Sequence, residues 1–215
     1  MTDRVSNVLS FVVLTAVGLR LIQAVKLSRS ADGRSLSRVI WLRLRWRHFW
    51  PVPFVLAAVL IVAIPLLMVP PLRWGWWSAI GGDGNPIFGS SNATMNTVWA
   101  WLIPLIFMTL VLAALPLFTN AEERMFRFGA ERWDTRQRVI KVLQFGLIHA
   151  VIGIPVGVAL ALSVAGAYLM AVYLRSYALT DSPAEATLES TRAHTAYNAL
   201  IIVVVAVVVA VGAVA

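Results

Sequence analysis

Three short patterns in this 215-residue chain set polar side chains where a membrane helix tolerates few. They are Glu122-Glu123 followed by Arg127, Phe145 followed by His149, and His194 followed by Asn198. Asp and Glu number only 10 in the whole chain, so two side by side at the end of an apolar run call for a reason. Arg127 stands four residues after Glu123, the favoured spacing and order for an ion pair on a helix. Position 126 is Phe, which leaves Glu122 without an i+4 partner. One carboxylate is neutralised; the other is free to act.

Asn198 follows His194 by four residues and shares its helix face, so both side chains can point at one substrate atom. An ionisable group within a membrane span is costly and is by default a candidate functional group. The bland alternative is that each histidine cements two helices by a hydrogen bond. Taken together, two histidines, a carboxylate and an amide in a partly dry hollow suit hydrolysis. A desolvated glutamate can take a proton from water, with neutral histidine orienting that water. Histidine and asparagine can donate to a developing oxyanion, where such bonds are worth far more than in bulk solvent.

These groups need helices to hold them, and the composition supplies membrane helices. Hydrophobic residues make up 60% and charged residues 13%, with a mean hydropathy of +0.80. Ordinary soluble domains hold roughly 25% charged residues, so the expected class is an all-α, polytopic integral membrane bundle. The net charge of +8 fits basic loops beside a membrane better than nucleic-acid binding. With no cysteine, disulfides, thiolate metal sites, haem attachment and a cysteine nucleophile are excluded.

Spans of about 20 apolar residues are expected at 6–25, 52–72 and 97–118, and from 183 to the C-terminal end. The first begins after Arg4, and with no convincing small-x-small cleavage site it reads as a retained span rather than a signal peptide. The 33 residues between Lys141 and Arg175 carry no Asp, Glu, Lys or Arg. Gly153-Ile154-Pro155-Val156-Gly157 breaks them into two short spans, 138–154 and 157–175. The expectation is about six transmembrane helices in one domain, 1–215.

Seven Lys and Arg fall in 26–47 and six in 124–141, against Arg73 alone in 73–97. The positive-inside rule then puts loops 26–50 and 119–138 in the cytoplasm and both termini outside. Trp74, Trp76, Trp77, Trp99 and Trp101 would form an outer aromatic belt. The basic, aromatic stretch 38–48 would lie on an anionic inner leaflet, with His48 interfacial. Within 73–97, Gly81 to Pro86 reads as turns, and Asn92-Ala93-Thr94 matches a glycosylation sequon.

Depth brings the patterns together. Ser182-Pro183-Ala184-Glu185 reads as a capping box with proline at the first helical position. His194 lies 11 residues past Pro183, and His149 lies 11 past Arg138. Both then sit about 16 Å along helices entering from the cytoplasm, in the inner half of the bilayer.

In that order and on membrane helices, Glu122-Glu123-x-x-x-Arg127, Phe145-x-x-x-His149 and His194-x-x-x-Asn198 resemble the three motifs of the CAAX protease and bacteriocin-processing family, also called the ABI family of intramembrane proteases. The resemblance covers about residues 95–205. It implies a helical bundle whose catalytic cavity opens toward cytosol and lipid. It implies Glu122 as general base acting with His149 on the attacking water, and His194 with Asn198 as the oxyanion hole. Glu123, Arg127 and Phe145 would support the site. The implied substrate is a membrane-associated peptide or protein, in some members lipid-anchored, and the implied location is the bacterial inner membrane.

Glu122, His149 and His194 could in principle ligate zinc, although the same groups can hold a water without metal, and no tightly bound metal is expected. Two other function classes stay open. One is a non-catalytic immunity or scaffold protein of the same fold. The other is a small transporter with the His/Glu cluster as a proton relay.

Overall fold

A computed structural model describes residues 12, 15, 18–20, 22–79 and 97–212. Among these the secondary structure is helical throughout, with no strand. The expected span at 6–25 lies largely outside the described residues, as do the turn-rich 81–86 stretch and the Asn92 sequon.

A helical stretch at 22–29 leads into α1 (Ala31–Leu42), whose N-terminus is capped by Ser30 Oγ accepting from Gly33 N–H at 3.0 Å. There follow α2 (Trp46–Phe49), α3 (Val52–Met68), a 3-10 turn at Pro70–Arg73 and the single turn α4 (Trp76–Ala79). Beyond the undescribed 80–96 come α5 (Trp99–Phe126), a 3-10 turn at Ala130–Arg132 and α6 (Thr135–Leu147). A 3-10 segment (Ile148–Ile152) precedes α7 (Val156–Ala161), α8 (Ser163–Thr180) and α9 (Pro183–Gly212).

Four helical segments are long and apolar enough to cross a membrane: Trp46–Met68, Pro104–Arg132, Val156–Thr180 and Pro183–Val211. Each has 23 to 29 residues, more than the roughly 20 that span the hydrocarbon core. This chain is therefore an integral membrane protein. The expected span at 138–154 is a different object. It is α6, 13 residues carrying Arg136, Arg138 and Lys141, followed by five residues of 3-10 helix. Too short and too polar at its start, it does not join the four. The break after it falls where Gly153 takes φ 87°, a left-handed conformation that glycine adopts without strain.

The end of α5 also differs from the expectation. The apolar run stops near Phe118, but the helix continues through Phe126, so Glu122 and Glu123 lie inside it rather than beyond it. Buried Pro116 removes one backbone donor within this helix, and Thr119 Oγ bonds back to Leu115 O at 2.9 Å. Gly129, at φ 90°, turns the chain out of the helix, and its N–H donates to Tyr173 Oη at 3.1 Å. The same phenol donates to Glu131 Oε2 at 2.7 Å, which fastens this corner to α8.

The start of α9 matches the sequence expectation: the helix begins at Pro183, and Glu185 N–H donates to Ser182 Oγ at 3.3 Å. This helix is the centre of the bundle and packs most extensively against α5 and α8. In lipid, apolar surface gives helices little reason to associate, so close approach through small residues and buried hydrogen bonds must do it. Ala186, Ser190, Thr191, Ala193, Thr195, Ala196 and Ala199 are all buried on α9. Thr195 Oγ meets Thr119 Oγ at 2.8 Å, and Asn120 donates to Thr191 Oγ at 3.3 Å, a polar ladder between α9 and α5.

Trp76 corrects the aromatic-belt expectation. It is buried, with its indole N–H donating to Val151 O at 2.8 Å, and it ties the turn after α3 to the 3-10 segment after α6. Trp74 is exposed, as a belt residue would be.

A close approach of backbone from two helices lies beside Phe145. A Cβ on Gly146 would come within 2.5 Å of Ala159 O and 2.7 Å of Ser163 N. Gly146→Ala should therefore destabilise the protein by about 1–3 kcal/mol, because backbone atoms must separate. Alanine's better helix propensity, worth roughly 1 kcal/mol, opposes this without cancelling it. Unfolding of the purified variant in detergent measures the balance, and an unchanged or raised stability would show that α6 can shift freely.

Candidate functional site

The last turns of α5 deliver both glutamates to the face of α9. Glu123 has no exposed side-chain surface and Arg127 has 1%, yet both carry charge-bearing groups. Their pairing makes that possible: Arg127 Nη1 donates to Glu123 Oε1 at 2.5 Å across one helical turn. His194 Nδ1 lies 2.8 Å from the same oxygen. Ser190 Oγ donates to Glu123 Oε2, so both carboxylate oxygens are satisfied from α9. Ser190 was not singled out from the sequence. Its signal was there, because it precedes His194 by four residues and must share its face.

A carboxylate accepts hydrogen bonds and cannot donate when ionised. His194 Nδ1 therefore carries the proton toward Glu123, and in neutral imidazole Nε2 is left with its lone pair. That nitrogen faces Glu122 Oε2 at 3.5 Å. Two acceptors facing each other need a shared proton or a water between them. Glu122 Oε2 is buried and has no hydrogen-bond partner among the described residues, while 34% of the Glu122 side chain remains exposed. Glu122 is thus a carboxylate at a rim, with one oxygen turned inward to an imidazole.

Phe145, buried at the end of α6, organises the remainder. The Arg127 guanidinium carbon sits 4.2 Å from its ring centroid, a cation–π contact that adds to the Glu123 ion pair. Phe126 packs edge-on to it at 5.6 Å. The His149 and His194 rings lie 5.3 Å and 5.4 Å from it, both edge-on. His149 Nδ1 is 2.8 Å from Phe145 O, and a carbonyl only accepts. The Nδ1 proton is therefore committed, and His149 Nε2 carries the free lone pair in the neutral ring.

The seven residues marked out by the sequence thus fall into two groups. Glu122, Glu123, Arg127 and His194 meet in one connected network, with Phe145 packed on it. His149 touches Phe145 rather than either carboxylate. Asn198, half-buried one turn beyond His194, shares its helix face, and its side chain makes no hydrogen bond among the described residues. The nearest imidazole to Glu122 is that of His194, where the motif resemblance paired Glu122 with His149.

A zinc site does not fit this arrangement. Catalytic zinc takes three protein ligands as a rule. Here Glu122 and His194 supply two convergent donors, and among the described residues no group of three or more His, Cys, Asp or Glu is placed to hold a metal.

A second polar cluster lies on α9 just before the first. His48 is 3% exposed, which corrects the expectation of an interfacial histidine. Its Nδ1 accepts from Arg45 N–H at 2.9 Å, so its proton is on Nε2, which donates to Glu189 Oε1 at 3.1 Å. Arg47 and Arg192 complete the set around Glu189 at 2.8 Å and 3.0 Å. No sequence spacing links residues 48 and 189; only packing of α2 on α9 brings them together.

Comparison of this chain with protein families, with characterised proteins and with solved structures found no match to any of them.

Proposed function

We propose that this protein is an intramembrane endopeptidase that hydrolyses a peptide bond near the cytoplasmic face of a bacterial inner membrane. The observation that carries the reading is the pairing of a partly exposed Glu122 with His194, beside a fully neutralised Glu123–Arg127 pair. A hydrolase needs one carboxylate left free to take a proton, beside charges that are already matched.

In this reading the oxygen of a water attacks the carbonyl carbon of the substrate, and Glu122 takes the water's proton. The oxygen of the tetrahedral intermediate carries the developing charge, and Asn198 stabilises it, joined by His194 in its protonated form, whose Nε2–H donates while Nδ1–H stays on Glu123. Glu122 then returns the proton to the leaving amine as the C–N bond breaks. Glu123, held in turn by Arg127, accepts from His194 Nδ1 and so fixes the orientation of the ring. His149, with its Nε2 lone pair free, assists the water from the Phe145 side. The substrate presents an extended segment next to a lipid or apolar anchor lying in the bilayer. The motif order described above supports the same assignment.

A second reading, a non-catalytic scaffold or immunity protein of this fold, is favoured by the separation of His149 from both carboxylates. The two part on one experiment. The full chain in proteoliposomes is given membrane-anchored peptides, and products are identified by mass spectrometry. The protease produces defined fragments that His194→Ala abolishes. Asn198→Ala should lower turnover by roughly 10²–10³ while leaving substrate affinity nearly unchanged, as loss of an oxyanion donor does. Weakened affinity with normal turnover would make Asn198 a binding residue. No fragments from any anchored peptide would favour the scaffold.

A further inference from the structure

The cluster around Glu189 holds more positive charge than it neutralises. Arg47 and Arg192 both bond to one carboxylate, and neutral His48 donates to it as well. A guanidinium has five N–H donors. Arg192 uses Nη1 on Glu189, but its Nε and Nη2 are buried and have no partner among the described residues. Only 6% of the Arg192 side chain is exposed. A buried cationic donor left unpaired is costly, so these N–H groups call for an acceptor.

The surroundings indicate which acceptor. Arg47 is 59% exposed, directly above the seam between α2 and α9. Trp46 and Trp50, on either side of it in sequence, are mostly exposed, and Trp50 stacks edge-on with exposed Phe54 at 6.1 Å. Exposed indoles beside arginines belong at the headgroup level of a bilayer, where one end is apolar and the other wet. Between Lys26 and Arg47 there are seven basic residues and one acidic residue, Asp32. The charge wanted here is negative, and the apolar side chains around it want acyl chain.

We propose that the seam between α2 and α9 binds the phosphate of an anionic phospholipid, with Arg47 and Arg192 as its donors and Trp46 and Trp50 against its chains. Arginine suits the task because its planar fork matches phosphate oxygens in pairs. Glu189 orients both guanidinium groups from below and leaves their remaining N–H groups for the lipid. The headgroup takes up the charge that one carboxylate leaves uncompensated. This assignment is independent of the proposed protease activity.

The test uses the full chain in nanodiscs of mixed phosphatidylglycerol and phosphatidylcholine, with retained lipids counted by native mass spectrometry. The wild type should retain phosphatidylglycerol preferentially. Arg47→Gln and Arg192→Gln should each lower that preference about fivefold, the worth of one arginine near an anionic surface. Arg136→Gln, which removes an exposed arginine on α6, should leave it unchanged. Arg47 is exposed, so its variant remains informative if Arg192→Gln fails to fold. Three results would each overturn the proposal: no headgroup preference in the wild type, the same preference in Arg47→Gln, or an equal loss in Arg136→Gln. Retention of inorganic phosphate in place of lipid would also defeat it, since the source would then be the free anion.

Discussion

Glu123→Ala should cost about 3–5 kcal/mol of stability, the largest single loss expected anywhere in the molecule. The reason is the partner it abandons. Arg127 is 1% exposed, and with Glu123 gone its charge is left in a dry interior with only Gly166 O, at 3.5 Å, and the Phe145 ring for company. Ser190 and His194 lose their acceptor at the same time. Reversible unfolding in mixed detergent micelles, followed by tryptophan fluorescence, measures the loss. The double variant Glu123→Leu/Arg127→Met should recover most of it, because removing both charges together avoids the desolvation of one. If the double variant is as unstable as the single, the damage comes from lost packing and hydrogen bonds, and the ion pair is not what matters.

Glu122→Gln should give the opposite signature. The side chain keeps its size and a third of it already meets solvent, so the protein should fold as before. Glutamine cannot take a proton from water. Peptide hydrolysis should fall by roughly 10²–10⁴, the usual contribution of a positioned general base. Unfolding curves that match wild type, together with a collapsed rate, would separate Glu122 from Glu123 although they are adjacent in sequence. Hydrolysis that persists in Glu122→Gln would remove Glu122 from the chemistry. A variant that unfolds would show that Glu122 supports the fold instead.

The contrast between these two neighbours shows how far local spacing reaches. Arg127 stands at i+4 from Glu123, and on a helix that spacing alone predicts the pair that is found. The same logic links His194 to Asn198 as residues of one face. Proline after a serine foretold where α9 starts, and the Gly153–Pro155 break foretold where the 33-residue uncharged stretch divides. The membrane class was readable from composition, since 13% charged residues is about half the roughly 25% of ordinary soluble domains.

Where inference ran short, the missing information lay on another helix. Hydropathy ended the third span near Phe118, because Glu122 and Glu123 look like residues that have left the membrane. The helix runs on to Phe126 because α9 supplies His194 and Ser190, and α5 itself supplies Arg127, to take up that charge. His48 reads as interfacial within a basic surface segment, and it is buried because Glu189, 141 residues away, accepts its hydrogen bond. The 138–154 segment reads as a span because no Asp, Glu, Lys or Arg follows Lys141 until Arg175, yet three cations in the first turns of α6 and its short length set it apart from the four long helices.

From the chain alone came the membrane class, the start of α9, the break at Gly153–Pro155 and the Glu123–Arg127 pair. The tertiary arrangement decided which polar groups are buried, which imidazole faces Glu122, and that Phe145 stands between two histidines. The physical reason is one of range. Helix geometry repeats every 3.6 residues and can be read from spacing, whereas the cost of burying a charge depends on partners that arrive from distant segments, which no spacing records.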